Sequence, residues 1–221
     1  MILRHISIDM DRSQCDNQIG YSFKLKSRCL CNFLERHVWK AQIKVPGFSR
    51  ICISVAESAD PEFFINSCKA ACIKLPLDGF GYRKLNDIEL QEFYIELLLK
   101  GVRKFMGAFP AVLTTLEEGI DLFRAAGYKN EWIERSRRFN AIHLSAKLVC
   151  SITINRFALR LQVLRKNQVI HDKVILKTDP DEIAFAYRFD DVIAKNGEII
   201  VTSKHQKPLA KVLISTLELE I

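Results

Sequence analysis

The sequence predicts an α+β fold: antiparallel β-sheets from the N- and C-terminal segments packed around a central helical segment. Three observations predict it. Asn86 to Gly107 carries the marks of one amphipathic helix with its own start and stop signals. On either side of the helical centre the apolar residues recur every second position, the period of a half-buried strand. Of the 221 residues 48% are apolar, enough to bury a sizeable core without covalent staples. The chain reads as a single domain, with a β meander over 1–84, a helical segment over 85–140 and a second meander over 141–221.

The central helix is the best-specified element. The Asn86 side chain can accept a hydrogen bond from the first turn, and Glu89 is spaced to reach back to the Asn86 amide as in a capping box. Leu90, Phe93, Leu97, Gly101 and Phe105 recur at helical spacing, and Tyr94, Leu98 and Val102 widen the stripe. Asp87 and Glu89 at the start, with Arg103 and Lys104 at the end, suit the helix dipole. Gly107 and Pro110 end the helix. So wide a stripe predicts burial against a sheet on one side and a helix on the other, with its aromatics in the core rather than in a cofactor box.

Before the helix, Met1–Asp9 reads as a strand with Ile2, Ile6 and Ile8 on one face, interrupted by Arg4. Asp9–Gly20 is polar and reads as a loop. Tyr21, Phe23 and Leu25 alternate with Ser22, Lys24 and Lys26, which predicts a strand over Tyr21–Leu30. Strands follow at His37–Val45, ended by Pro46-Gly47, and at Arg50–Ala56, completing an antiparallel meander. Glu62–Ser67 reads as a short helix or irregular piece, Lys69–Leu77 as a strand, and Asp78–Gly81 as a loop.

After Pro110, Thr115 and Glu118 suggest a second helix with Leu116, Ile120 and Phe123 on its stripe, stopped by Gly127. Asn130 is placed to cap a third, Glu131–Phe139, and the pair loosely suggests a helix-turn-helix. From Ala141 the period returns to two. Strands are predicted through Ile142–Leu148, Ser151–Arg165 and Val169–Lys177, with a turn at Asn167-Gln168. A strand or short helix follows at Ile183–Phe189, and Ile199–Ser203 and Leu209–Thr216 close the sheet. Asn196-Gly197 is the strongest hairpin signal, because both central residues of a type I′ turn need positive φ.

The formal charge is +7, and it is concentrated. Lys129 to Lys177 holds eleven Lys or Arg against Glu131, Glu134 and Asp172. Such a surface suits an anionic partner: nucleic acid, an acidic protein face or a phosphate-bearing ligand. No run of eighteen apolar residues occurs, and Met1–Met10 lacks the basic and apolar regions of a signal peptide, so a cytosolic protein away from membranes is expected. Seven cysteines, an odd number, argue against a disulfide framework and for small buried apolar residues.

No nucleotide loop, dinucleotide fingerprint, zinc-protease or serine-hydrolase motif is present. His5, His37, His143, His171 and His205 are scattered, and the adjacent Glu117 and Glu118 point apart on a helix, so neither set suggests acid–base catalysis. Cys29, Cys31 and His37 could supply three metal ligands, since strand alternation would put both cysteines on one face, but their spacing is wrong for a zinc ribbon or finger. No catalytic residue, metal or cofactor is therefore expected. On a strand, Arg156, Ala158 and Arg160 share one face and Phe157, Leu159 and Leu161 the other, with Lys147 and Lys173 on neighbouring strands. That separates the basic residues from the aromatic that single-stranded nucleic acid would stack on.

The runs "RLQVLRKNQVIHDKVILKTDPDEI" and "NGEIIVTSKHQKPL" give a strand, tight turn, return strand, Asp-Pro break and glycine-turn hairpin. This C-terminal pattern resembles immunity proteins of bacterial polymorphic toxin systems, including those of contact-dependent growth inhibition. The resemblance implies a non-enzymatic cytosolic protein that neutralises a cognate toxin domain by covering its active site. Such proteins are often acidic where the toxin is a nuclease, whereas this chain is basic. The resemblance then implies either an acidic toxin face meeting Arg135, Arg137, Arg138, Lys147, Arg156 and Arg160, or contact through Asp179, Asp181, Glu182, Asp190 and Asp191. Two other classes remain in view: a single-stranded nucleic-acid-binding protein using the basic 129–177 surface, and an enzyme assembled from dispersed Cys, His and Asp residues.

Overall fold

The computed structural model describes every residue except 12–15, 58, 78–80, 106 and 219–221. The expected loop residues Asp78, Gly79 and Phe80, and Cys15, lie outside the described residues. The fold is α+β, with a helical segment between N- and C-terminal sets of strands. The chain forms two compact units, Met1–Asn130 and Glu131–Ile221.

In the first unit, strands β1 (His5–Met10), β2 (Arg50–Ala56), β3 (Glu62–Ile65) and β4 (Ala70–Pro76) form one sheet in the order β1-β2-β4-β3. β2 runs parallel to both β1 and β4, and only β3 is antiparallel to its neighbour. The N-terminal part is therefore not the antiparallel meander expected from alternation. The reason is helix α1 (Asn17–Ala41), which replaces two expected strands and part of an expected loop. A long crossover is what a parallel pair requires.

The residues that made 21–30 look like a strand are misleading, because Tyr21 is 43% exposed. Among the buried residues Phe23, Ser27, Leu30, Cys31, Leu34 and Val38 recur at helical spacing and mark one face of a helix. Small polar and sulfur-bearing side chains on that face hid the period. Asp16 caps the start, its Oδ1 accepting from the Gln18 amide at 2.7 Å, and Gln42 ends the helix in the left-handed conformation. Beyond it, the expected strand over His37–Val45 survives only as a short pairing alongside the first residues of the chain, with an isolated bridge at Ile2–Lys44.

Side chains of α1 close the edge of β1 that does not pair with β2. The Ile6 amide donates to Glu35 Oε1 at 2.9 Å, Arg28 Nη1 donates to the Ile6 carbonyl at 3.0 Å, and the Ser27 hydroxyl donates to the Ile8 carbonyl at 3.2 Å. Arg28 also bonds Glu35 Oε2 at 2.8 Å, and both side chains are largely buried. An edge satisfied in this way cannot pair with another strand.

The predicted central helix is α2 (Asp87–Phe105), and its capping box is present. The amides of Ile88 and Glu89 donate to Asn86 Oδ1 at 3.0 Å each, and the Asn86 amide donates to Glu89 Oε2 at 2.8 Å. As expected, one side of α2 meets the sheet and other sides meet helices. A Cβ at Gly101 would lie 2.9 Å from Ile53 and 3.0 Å from Ile73, so glycine lets the helix rest directly on β2 and β4. The Tyr94 hydroxyl donates to the Phe23 carbonyl of α1 at 3.0 Å. Helix α3 (Pro110–Ala125) starts at its proline, so Thr115 lies inside it rather than at its cap. Arg103–Glu117 and Arg124–Glu92 pairs join α2 to α3, both at 2.6 Å.

Glu62–Ser67, expected as a helix or irregular piece, contains β3. The open face of the sheet carries the half-buried Cys52 and Cys72 in register, with the exposed Cys68 in the turn before β4. Cys29 and Cys31, by contrast, are buried in α1, and burial pushes both thiols up to about 12. Among the six described cysteines, a thiol-specific disulfide reagent at pH 8 is expected to label Cys68 first, and Cys29 and Cys31 only after denaturant is added. Mass mapping of the labelled peptides checks this; fast labelling of Cys29 in the native protein contradicts the packing of α1.

The second unit contains β5 (Asn130–Phe139), β6 (Leu144–Ile152), β7 (Phe157–Arg165) and β8 (Gln168–Thr178), sheet order β5-β6-β7-β8. After the single-turn helix α4 (Glu182–Phe185) come β9 (Asp191–Lys195), β10 (Glu198–Thr202) and β11 (Pro208–Leu213), order β11-β10-β9. The pairs β6–β7, β7–β8, β9–β10 and β10–β11 are antiparallel, as expected for this half. Glu131–Phe139 is a strand and not the expected helix, which removes the suggested helix-turn-helix. Phe157 is fully buried and stacks on Phe185 with ring centres 3.7 Å apart; Phe189, Val192, Ile199 and Val201 are buried with them. Asn196 and Gly197 both take positive φ, as the hairpin signal required. The β7–β8 turn is at Lys166-Asn167, also with positive φ at both residues, one position earlier than expected.

Candidate partner-binding surface

Two groups of charged side chains on the second unit are held in fixed geometry by rigid strands. The first lies where β5 meets the approach to β9. Arg137 Nε and Nη2 donate to the two Asp191 carboxylate oxygens at 2.7 and 2.8 Å, a side-on pair. Arg135 Nε donates to the Asp190 carbonyl at 3.0 Å, and its Nη2 is 3.7 Å from the Asp190 carboxylate. Asp191 Oδ1 also accepts from the Val192 amide at 2.8 Å, which ties the pair to the first turn of backbone in β9.

The second group spans β7 and β8. Arg160 Nε donates to Asp172 Oδ1 at 3.0 Å and its Nη2 donates to Oδ2 of the same carboxylate. Gln162 Nε2 donates to Asp172 Oδ2 at 3.0 Å, and Glu131 lies 4.0 Å from Arg160. Lys147 of β6 is in register with Gln162, so it belongs to the same polar face. Phe157, Leu159 and Leu161 turn to the core, as alternation predicted.

These pairs act on the carboxyl groups. The guanidinium of Arg160 holds the Asp172 carboxyl below its ordinary range, and Arg137 does the same for Asp191. With the folded values depressed, any stabilisation from these pairs is present above the unfolded carboxyl pKa and is lost as pH falls through the folded ones. Both pairs are partly exposed, so salt screens them and their main effect is to fix side-chain positions.

The expected site residues fall into two classes. Arg135, Arg137, Asp190 and Asp191 come together, and so do Lys147 and Arg160. Asp181 is spent on capping α4, its Oδ1 accepting from the Ile183 amide at 3.0 Å. Glu182 begins α4, Asp179 is exposed ahead of it, Arg156 lies exposed in the β6–β7 turn, and Arg138 is exposed near the end of β5. Asp172, Gln162 and Glu131 are additions to the expected set. Asp172 stands opposite Gln162 and diagonal to Arg160, a placement set by the register shift between Val163 and Leu164.

Register shifts along β8 bear on how a partner can dock. Register breaks between Leu159/Arg160 and Val163/Leu164, with Lys173 opposite the core residue Leu161, make β8 a poor template for strand addition. The faces and rims of the unit are what it offers instead. Exposed aliphatic side chains accompany the charges: Ile133 on β5, Val169 and Val174 on β8, and Ile193 on β9.

The metal possibility at Cys29, Cys31 and His37 rested on strand alternation, which α1 removes. Cys29 Sγ faces the Tyr128 carbonyl, Cys31 Sγ faces Ser27, and His37 packs where a Cβ on Gly119 would sit 2.9 Å away. Among the described residues no three His, Cys, Asp or Glu are grouped to hold a metal ion. No helix among the described residues is long and apolar enough to cross a membrane. Comparison with protein-family models, curated proteins and solved structures found no match.

Proposed function

We propose that this chain is a cytosolic, non-enzymatic binding protein that neutralises a cognate bacterial toxin domain by covering its active site. The observation that carries the proposal is the pairing on the Glu131–Ile221 unit. Arg137 and Arg160 are locked side-on to carboxylates on rigid strands, and exposed Ile133, Val174 and Ile193 belong to the same elements or their neighbours. Arginine and aliphatic side chains held in one geometry suit a protein interface, because little side-chain freedom is lost on docking. The same pairing weighs against nucleic acid. Arg137 and Arg160 are matched by aspartates, and Phe157 is in the core, where no base can stack.

The proposal predicts a secreted toxin domain encoded beside this chain, and the test is calorimetric titration of the purified chain with that domain, and separately with a single-stranded oligonucleotide at low and high salt. One-to-one toxin binding that weakens roughly tenfold or more in Arg160→Ala is expected. Oligonucleotide binding that falls steeply with salt, with no toxin binding, supports the nucleic-acid alternative and overturns the proposal.

A further inference from the structure

The first unit holds a basic cleft that neither the fold nor the proposed function accounts for. It is an open depression of about 440 Å³ lined by Met1, Ile2, Arg4, His5, Ser49 and Arg50. The parallel pairing of β1 and β2 builds it. His5 and Arg50 are directly opposed in register, so their side chains share a face, and the Ser49 carbonyl accepts from the amides of Arg4 and His5 at 2.9 and 3.4 Å. The backbone around the cleft is thus tied down before any ligand arrives.

The electrostatics are one-sided. Arg103, Arg124, Arg137 and Arg160 each clasp a carboxylate. Among the described residues neither Arg4 nor Arg50 does, and no acidic side chain lines the cleft. Glu35 lies 3.9 Å from His5 Nδ1, and it is already engaged by Arg28 and the Ile6 amide. Arg4 is positioned by stacking, its guanidinium carbon 4.8 Å over the Trp39 ring. Stacking on an aromatic face leaves the edge N–H groups of a guanidinium available to a second partner.

Two guanidinium groups, an imidazole and a serine around one depression match the donor demand of a phosphate group, which guanidinium recognises side-on. The size is that of a small-molecule pocket rather than of a lone oxyanion. We propose that this cleft binds the phosphate end of a small phosphate-bearing molecule, with Arg4 and Arg50 as the principal ligands and His5 and Ser49 beside them. This site is built from Met1–Asn130 residues alone, and its existence does not depend on the toxin reading.

The stacking of Arg4 on Trp39 supplies a readout. In a Trp132→Phe background Trp39 is the remaining tryptophan, so its emission reports on the cleft. The experiment titrates the full chain with inorganic pyrophosphate, followed by calorimetry and by Trp39 emission. The expected result is saturable one-to-one binding that shifts the emission and weakens roughly tenfold in Arg50→Gln and in Arg4→Gln, the loss of one charged hydrogen-bonding group. Lys100→Gln, an exposed charge on α2 of the same unit, is expected to leave the affinity unchanged. The arginine variants remove exposed side chains, and circular dichroism checks that they fold. No saturable binding overturns the proposal, and so does an equal loss in all three variants, which would mean attraction to overall charge.

Discussion

Glu35→Ala is expected to destabilise the Met1–Asn130 unit by about 3 kcal/mol, the scale on which breaking one partner of a buried ion pair acts. Two groups lose a Glu35 acceptor at once. The Arg28 guanidinium, with Arg28 only 8% exposed, loses the Glu35 carboxylate, and the Ile6 amide on the edge of β1 loses its Glu35 acceptor. The Ser27 bond to Ile8 then holds that edge without its neighbours. Glu35→Gln should fall between, since the amide oxygen can still accept from Ile6 but no longer balances the charge. Arg28→Met with Glu35→Leu should recover much of the loss, because a packed apolar pair needs no desolvation of charge. Urea unfolding followed through Trp39, with Trp132 replaced by Phe, measures this unit. A change under about 1 kcal/mol in Glu35→Ala would mean that α1 does not close the β1 edge.

In the other unit the largest expected effect is Phe157→Ala, at about 3–4 kcal/mol. The ring is fully buried, stacked on Phe185 at 3.7 Å and aligned with Phe189 at 5.8 Å. Removing it leaves a cavity between β7 and the α4 segment that flat neighbouring rings fill poorly. Phe157→Leu should cost clearly less, because it restores most of the volume. Trp132, whose ring centre is 6.5 Å from that of Phe157, is the natural probe in a Trp39→Phe background. Equal stability of the Ala and Leu variants would contradict a stacked aromatic centre for this unit.

The sequence was most readable where a local rule decides the outcome. Asn86 and Glu89 form the capping box their spacing required, and Asn196-Gly197 turns the chain with positive φ. Alternation placed Phe157, Leu159 and Leu161 inside and Arg160 outside. It misled at Tyr21–Leu30, where an exposed Tyr21 and a buried Ser27 imitate a strand, although Phe23, Leu30, Leu34 and Val38 keep helical time. Losing that helix also lost the parallel order of β1, β2 and β4. Glu131–Phe139 failed for a different reason: both its faces are mostly polar, so neither period is marked and pairing with β6 decides the conformation. Of the partner surface, the individual charges were visible but not their pairing. Arg137 meets Asp191 across 54 residues, and Arg160 shares a face with Asp172 only through the register shift between Val163 and Leu164. The cleft at Arg4 and Arg50 depends on strands brought together by α1, and so was out of reach.

The claim with most resting on it is that the Glu131–Ile221 unit carries the partner-binding face. Amide hydrogen exchange of the chain, alone and saturated with the toxin domain that the proposed function predicts to be encoded beside it, tests that most directly. Slowed exchange is expected along β5, β7 and β8 and at the start of β9, around Arg137, Arg160, Asp172 and Asp191, with Met1–Asn130 little changed. Slowing confined to Met1–Asn130, or none anywhere with the toxin in excess, would contradict it.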